Sequence, residues 1–84
     1  MVKIQYFASL RETLGTQGEE LTLPAQVKDV AQLASYLRQG RSVEWAALED
    51  PARVLIAVNQ TIVERSHPLE GAEEVAFFPP MTGG

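Results

Sequence analysis

One strongly amphipathic segment, residues 29–40, limits the folds that this 84-residue chain can adopt. Asp29 is a favourable N-cap, Gln32 stands three residues later as in a capping box, and Gly40 is placed to end the helix. Apolar side chains recur between these signals at positions i, i+3, i+4 and i+7, namely Val30, Leu33, Ala34 and Leu37. A helix with one apolar face needs a second layer to cover it, so we expect an α+β domain.

Strand patterns precede this helix. Residues 2–7 alternate apolar and polar positions, and this alternation places Phe7 on the otherwise polar face. Residues 8–14 predict a short helix, and residues 20–23 predict a second strand after a turn at residues 17–18. The N-terminal part is therefore expected to form strand, short helix and strand.

Strand patterns also follow the helix, after a short helical turn that carries Trp45. The apolar run 54–58 predicts a central strand covered by the main helix. Asn59-Gln60 predicts a hairpin turn into a strand at residues 61–64, because asparagine accepts the backbone angles of tight turns. Residues 74–78 predict the last strand. We thus expect a mixed sheet of about five strands packed on one main helix.

Composition narrows the classes of function. The chain has no cysteine, which removes disulfides, thiolate metal sites and a thiol nucleophile. Its formal net charge is −4 and its basic residues are dispersed, so we expect no nucleic-acid partner and an electropositive protein partner instead. The sequence has neither a signal-peptide pattern nor an apolar run of about 20 residues, and we expect a cytoplasmic protein without membrane contact.

The C-terminal residues predict a projecting tail. Pro79-Pro80 follows the last strand, and proline ends strand pairing and favours an extended backbone. We expect a domain over residues 1–80 and a flexible tail over residues 81–84. Gly83 and Gly84 carry no side chain that would shield the terminal carboxylate or block a narrow channel. That carboxylate is the predicted place for chemistry, against the simpler alternative of a frayed end.

Several local sequences sharpen this prediction and together span nearly the whole chain. They are Tyr6-Phe7-Ala8 with Arg11-Glu12, Ala57-Val58-Asn59-Gln60-Thr61, His67-Pro68-Leu69, Glu74-Val75-Ala76-Phe77-Phe78-Pro79-Pro80 and Thr82-Gly83-Gly84. The chain in these motifs resembles the MoaD-type small, sulfur-carrier subunits of molybdopterin synthase. The resemblance implies the ubiquitin-like β-grasp fold. Residues 39–53 match only loosely.

The resemblance also implies a chemistry at Gly84. An adenylating, sulfurtransferase-type enzyme would use ATP to convert the Gly84 carboxylate to an acyl-adenylate, and sulfur would replace AMP to give 1-thioglycine. The tail, Met81, Thr82 and Gly83 included, would enter the large subunit and donate sulfur to a cyclic pyranopterin monophosphate. The resemblance implies a heterotetramer with that subunit, no bound cofactor or metal, and no catalysis by this chain alone.

Strand alternation suggests where partners would dock. If Val75 and Phe77 point into the core, Phe78 points outward, as Phe7 does in the first strand. The docking candidates are Phe7, Ile62, Phe78, Pro79, Pro80 and Met81, because an exposed apolar patch beside the tail is typical of an interface.

Other functions stay open from the sequence alone. A carrier of the thiamine pathway shares the terminal motif, a ubiquitin-like modifier would join Gly84 to lysines, and an interaction module would have an inert tail. Other candidate residues favour structural roles: His67 precedes Pro68 in a predicted turn, and Trp45 is expected to be a packing aromatic. The pairs Glu19-Glu20 and Glu73-Glu74 are expected to be solvated or strand-edge charges.

Overall fold

A mixed five-stranded sheet forms one layer of the protein in the computed structural model, which describes residues 1–80. The strands are β1 Val2–Tyr6, β2 Gly18–Leu21, β3 Leu55–Val58, β4 Thr61–Ile62 and β5 Glu74–Phe78. Their order is β2-β1-β5-β3-β4, with β1 and β5 parallel and the other pairs antiparallel. The expected α+β architecture is confirmed.

The second layer consists of α1 Ser9–Leu14, α2 Val30–Arg38 and a 3₁₀ helix Val43–Glu49. The predicted N-cap of α2 is confirmed, since Asp29 Oδ1 accepts the Gln32 N–H at 2.8 Å. Gln32 Oε1 accepts the Lys28 N–H at 2.6 Å, one residue before the position that a capping box would use. The apolar positions predicted for α2 are all buried: Val30, Leu33, Ala34 and Leu37.

The hydrophobic core lies between the sheet and these helices. Side chains of β1, β3 and β5 meet those of α1, α2 and the 3₁₀ helix in one continuous cluster, whose largest members with almost no exposure are Tyr6, Phe77, Ile4, Leu33, Leu37, Leu48 and Ile56. At about 25 cal/mol per Å² of apolar surface, burial of this cluster is the main favourable contribution to folding. The helices therefore cover one face of the sheet only.

The centre of the sheet is β5, so the prediction that residues 54–58 form the central strand is wrong. Strand β3 does carry an apolar run, but it lies between β5 and the short edge strand β4. Its run is continuous because Ile56 and Val58 face the helices while the small Ala57, on the opposite face, is covered as well. Burial on both faces does not require the central position.

The hairpin between β3 and β4 forms at the predicted residues. Asn59 and Gln60 have positive φ angles of 49° and 70°, as in the tight turns that join antiparallel strands. Strand β4 ends at Ile62, two residues earlier than predicted. No helix within residues 1–80 has the length and hydropathy needed to cross a membrane.

Strand β2 begins two residues before the predicted boundary, at Gly18 rather than at Glu20. The sequence reads residue 18 as part of a turn, but the structure pairs Gly18 with Gln5 of β1. A Cβ atom at this position would lie 2.2 Å from the Ile4 carbonyl oxygen. Glycine is therefore required here by close backbone contact inside the sheet, and not by turn geometry.

We expect Gly18→Ala to lower the free energy of unfolding by about 2 kcal/mol, because the added methyl group forces β1 and β2 apart. Denaturant unfolding followed by circular dichroism measures this loss. Glu20→Ala in the same strand is the control, since Glu20 is exposed, and its effect should stay within about 0.5 kcal/mol. Equal stability of Gly18→Ala and wild type would contradict the close contact.

Candidate docking face and tail root

One face of the sheet carries no helix, and we call it the open face. Alternation along the strands assigns its side chains, since the neighbours of each core residue point to the other side of the sheet. The members of the open face are Lys3, Gln5, Phe7, Glu20, Leu55, Ala57, Ile62, Glu74, Ala76 and Phe78. These residues come from all five strands, so the open face exists only in the assembled sheet.

Apolar side chains gather at one end of the open face. Phe7 is 43% exposed and lies beside the end of β5, because its N–H donates to the Phe77 carbonyl oxygen at 3.0 Å. Phe78 is half-buried and pairs with Leu55 of β3. Ile62, 64% exposed, lies opposite Ala57 on β4 and extends the apolar surface from Phe78 and Leu55 towards the middle of the open face. The predicted outward orientation of Phe7, Ile62 and Phe78 agrees with this geometry.

The polypeptide leaves the sheet at this same end. Strand β5 ends at Phe78, and Pro79 and Pro80 follow, of which Pro79 is half-buried and Pro80 is exposed. Proline has no N–H with which to continue the ladder, so the chain must diverge from the sheet. The predicted tail residues Met81, Thr82, Gly83 and Gly84 lie outside the described residues. Pro79 and Pro80 connect them to the central strand, next to the apolar end of the open face. We call these two prolines the tail root.

Charged side chains occupy the other end of the open face. Lys3 lies between Glu20 of β2 and Glu74 of β5 in the sheet register. Between the two ends lie Gln5, the small residue Ala76 and Ile62, which share one row of the sheet register through Ala57. The open face is therefore graded from apolar beside the tail root to charged at the distant end.

A hydrogen-bonded network supports the apolar end from the core side. The Tyr6 hydroxyl donates to Glu19 Oε2 at 2.9 Å, and the Arg41 guanidinium donates to both Glu19 carboxylate oxygens at 2.7 and 2.8 Å. Tyr6 is also in edge contact with Trp45, at 5.3 Å between ring centroids, and stacks on Phe77 at 5.8 Å. The guanidinium carbon of Arg41 lies 4.2 Å from the Trp45 ring centroid. The network thereby ties β2 and the 3₁₀ helix to β1 and β5.

The ionisation of this network follows from its contacts. Hydrogen bonds from Arg41 lower the pKa of the Glu19 carboxyl despite its partial burial. Burial, assisted by the nearby Glu19 carboxylate, raises the pKa of the Tyr6 phenol. Tyr6 therefore stays protonated and acts as a donor, and Glu19 stays ionised at neutral pH. The network therefore has a structural role, and we call Tyr6, Glu19, Arg41 and Trp45 together the brace.

Sequence reasoning missed this brace, because it treated Glu19 and Glu20 as equivalent surface charges. Glu20 is exposed as expected, but Glu19 faces the helical layer. The available signal was the alternation in β2, which points two successive glutamates to opposite faces. Arg41 gave no local signal, since it lies 22 residues from Glu19 in the sequence.

The remaining candidate residues have structural surroundings. Trp45 is buried, which confirms the prediction of a packing aromatic. His67 lies in a loop in which its carbonyl oxygen accepts the Val30 N–H at 3.1 Å. The Glu73 carboxylate, instead of being solvated alone, accepts the N–H groups of Glu70, Gly71 and Ala72. Within residues 1–80 there is no cluster of three or more histidine or acidic residues placed to hold a metal ion.

These features define the class as a ubiquitin-like β-grasp protein whose open sheet face is apolar beside the end of its last strand. The chain belongs to the ThiS family, whose model matches residues 4–84. Over its full length it is 42% identical to the molybdopterin synthase sulfur carrier subunit of Escherichia coli and 30% identical to that of Haemophilus influenzae, and each alignment covers all of both chains. The resemblance found in the sequence motifs is confirmed.

Solved structures agree with this assignment. A putative molybdopterin converting factor, subunit 1, from Pyrococcus furiosus has a TM-score of 0.74 and 28% identity, with 95% of this chain and 97% of that chain covered. The crystal structure of SAMP1 from Haloferax volcanii has a TM-score of 0.73, with 99% of this chain and 98% of that chain covered. At 20% identity the second likeness shows the shared fold alone.

The brace predicts a stability that depends on pH. The pKa of Glu19 is lowered by folding, so its contribution is present above the unfolded-state pKa and is lost as the pH falls through the folded-state pKa. We expect Glu19→Gln to lower the free energy of unfolding by about 2 kcal/mol at neutral pH, because the charge-assisted hydrogen bonds to Arg41 are lost. The difference from wild type should shrink as the pH falls below the unfolded-state pKa of Glu19 and through its lowered folded-state pKa.

Denaturant unfolding at a series of pH values measures this effect. Glu12→Gln, on the exposed side of α1, is the matched control and should remain within about 0.5 kcal/mol of wild type throughout. A constant difference between Glu19→Gln and wild type at all pH values would contradict the ion-pair contribution of Glu19.

Proposed function

We propose that this protein is a sulfur carrier of molybdenum cofactor biosynthesis and serves as the small subunit of a molybdopterin synthase. The full-length similarity to relatives that are named molybdopterin synthase sulfur carrier subunits supports this function. The observation that carries the proposal is the placement of the tail root at the end of the central strand, beside Phe7 and Phe78. A partner that binds the open face would receive the tail at the same time.

The proposed chemistry resides in the terminal acyl group of Gly84. A carboxylate is a poor electrophile, so an activating enzyme would first use ATP to form an acyl-adenylate, with release of pyrophosphate. A sulfur nucleophile would then displace AMP and leave a thiocarboxylate, 1-thioglycine. The absence of cysteine fits this scheme, because the chain has no thiol that would carry sulfur as a persulfide.

The described domain would contribute recognition, and the partners would contribute catalysis. In this proposal the activating enzyme binds ATP, and the large synthase subunit binds the pterin substrate, a cyclic pyranopterin monophosphate. Assembly with the large subunit as a heterotetramer remains part of this proposal.

The open face would serve both partners in turn. Each partner must receive the same tail, and the tail leaves the domain beside a single apolar surface. A protein engaged by the activating enzyme would consequently not be engaged by the large subunit. This exclusion would order activation before sulfur transfer and would release the carrier between the two steps.

The intact mass of the protein, isolated from its own cells, tests the chemistry. We expect a fraction that is heavier by the replacement of one oxygen by sulfur, about 16 Da, with the change located at Gly84. Alkylation of the thiocarboxylate sulfur should raise the mass of this fraction further, by the mass of the added alkyl group, and should leave the unmodified protein unchanged. Isopeptide-linked species without the sulfur-bearing form would favour a protein modifier instead. A molybdenum cofactor defect after loss of the gene separates this carrier from one of the thiamine pathway.

Deletion of Gly84 is the matched variant for this experiment. We expect it to abolish sulfur transfer to the pterin and to change the melting temperature by less than about 2 °C, because an extended terminal residue adds little to a core. An unfolded deletion variant would contradict the prediction of a tail independent of the domain.

Substitutions on the open face test docking. Phe7→Asp and Ile62→Asp each place a charge in the apolar region, and we expect each to weaken binding of the large subunit by at least about tenfold. Isothermal titration calorimetry measures the dissociation constants. Val43→Asp is the control, because Val43 is 81% exposed but belongs to the 3₁₀ helix of the other layer. A Val43→Asp effect equal to those of Phe7→Asp and Ile62→Asp would contradict docking on the open face.

A further inference from the structure

Backbone strain in residues 1–80 is confined to two turns. The non-glycine residues with positive φ are Ala8 at 53°, Asn59 at 49° and Gln60 at 70°. This conformation suits glycine and is tolerated by asparagine. Asn59 also bonds with Glu74 through its backbone N–H at 2.8 Å and its side-chain oxygen at 3.0 Å. These bonds account for the positive φ of Asn59. The positive φ angles of Ala8 and Gln60 need another explanation.

Gln60 occupies the second position of a turn for which Asn-Gly is the favoured sequence. Its side chain is exposed and makes no hydrogen bond to another residue of the described part of the chain. Glycine at this position would relieve the strain and would remove no side-chain hydrogen bond within residues 1–80. The domain by itself therefore gives no reason for a glutamine.

Ala8 presents the same problem at the end of β1. Its angles, φ 53° and ψ −132°, belong to a region that glycine adopts far more readily than alanine. The turn is held by hydrogen bonds from the Leu10 N–H to the Phe7 oxygen and from the Arg11 N–H to the Ala8 oxygen, both at 3.1 Å. The Ala8 methyl group is exposed and adds nothing to the core.

Both residues border the open face. Ala8 follows Phe7 at the apolar end, whereas Gln60 lies at the hairpin tip beyond Val58 and Thr61, at the end where β5 begins. Three strand spacings separate β1 from β4, about 14 Å, and the length of β5 adds about 13 Å in the other direction. Ala8 and Gln60 thus lie at opposite ends of the open face, one after β1 and the other at the β3–β4 hairpin.

We infer that Ala8 and Gln60 are contact residues for the large subunit, kept despite their strained backbone because their side chains touch that partner. Residues that reduce stability without a role inside the domain are typical of functional surfaces. The footprint of the large subunit then extends from the tail root across the whole open face to the β3–β4 hairpin. A contact of this span suits an interface of standard size, about 800 Å² on each partner. The inference rests on the function proposed above.

Glycine and alanine substitutions separate strain from contact. We expect Ala8→Gly and Gln60→Gly each to raise the melting temperature by about 4 °C, because the strain is removed. Each should also weaken binding of the large subunit by about fivefold, because a contact is lost. Gln60→Ala removes most of the side chain but keeps a Cβ atom and therefore the backbone strain. It should weaken binding similarly without raising the melting temperature. Calorimetric titration and thermal unfolding give both quantities.

Ala31→Gly is the matched control, since Ala31 is exposed on α2, in the layer opposite to the open face. It should lower the melting temperature, as glycine does inside a helix, and leave the dissociation constant unchanged. If the wild-type protein binds the large subunit and Ala8→Gly, Gln60→Gly and Gln60→Ala bind it with the same affinity, this inference is wrong. The proposed function would then still stand. Absence of wild-type binding would contradict the proposed function and this inference with it. Lower stability of the two glycine variants would refute the strain.

Discussion

The parallel pairing of β1 with β5 is the interaction on which the rest of the structure depends. It joins the first and last strands of the chain and places β5 at the centre of the sheet, with β3 on its other side. Phe77 then lies in the core against Tyr6, while Phe78 lies on the open face near Phe7. One pairing thus fixes the core, the open face and the point at which the chain leaves the sheet.

The brace holds this pairing in place at the apolar end of the open face. Tyr6 is held by stacking on Phe77 and by its hydrogen bond to Glu19, and Glu19 is held in turn by Arg41. The edge strand β2 and the 3₁₀ helix are thereby connected to the two strands that carry Phe7 and Phe78. The proposed docking surface has this rigid support and would therefore lose little conformational entropy when a partner binds.

Local patterns predicted most of the elements, and their failures have identifiable causes. The α2 cap, the Asn59-Gln60 turn and β5 were predictable because neighbouring residues encode them. The β2 boundary was missed because Gly18 is required by contact with Ile4, which is remote in the sequence. The order of the strands was missed at its centre for the same reason, since hydrophobicity reports burial and not which strands are neighbours.

The sequence by itself determined the α+β class, the outward orientation of Phe7, Ile62 and Phe78, and the glycine ending of the chain, because alternation, helical periodicity and proline are local properties. Only the tertiary structure decided that β5 is central, that Glu19 accepts hydrogen bonds from both Tyr6 and Arg41, and that the two strained turns border one face. These facts depend on contacts between segments far apart in the chain. Such contacts are selected by packing of the whole domain, and no short stretch of sequence encodes them.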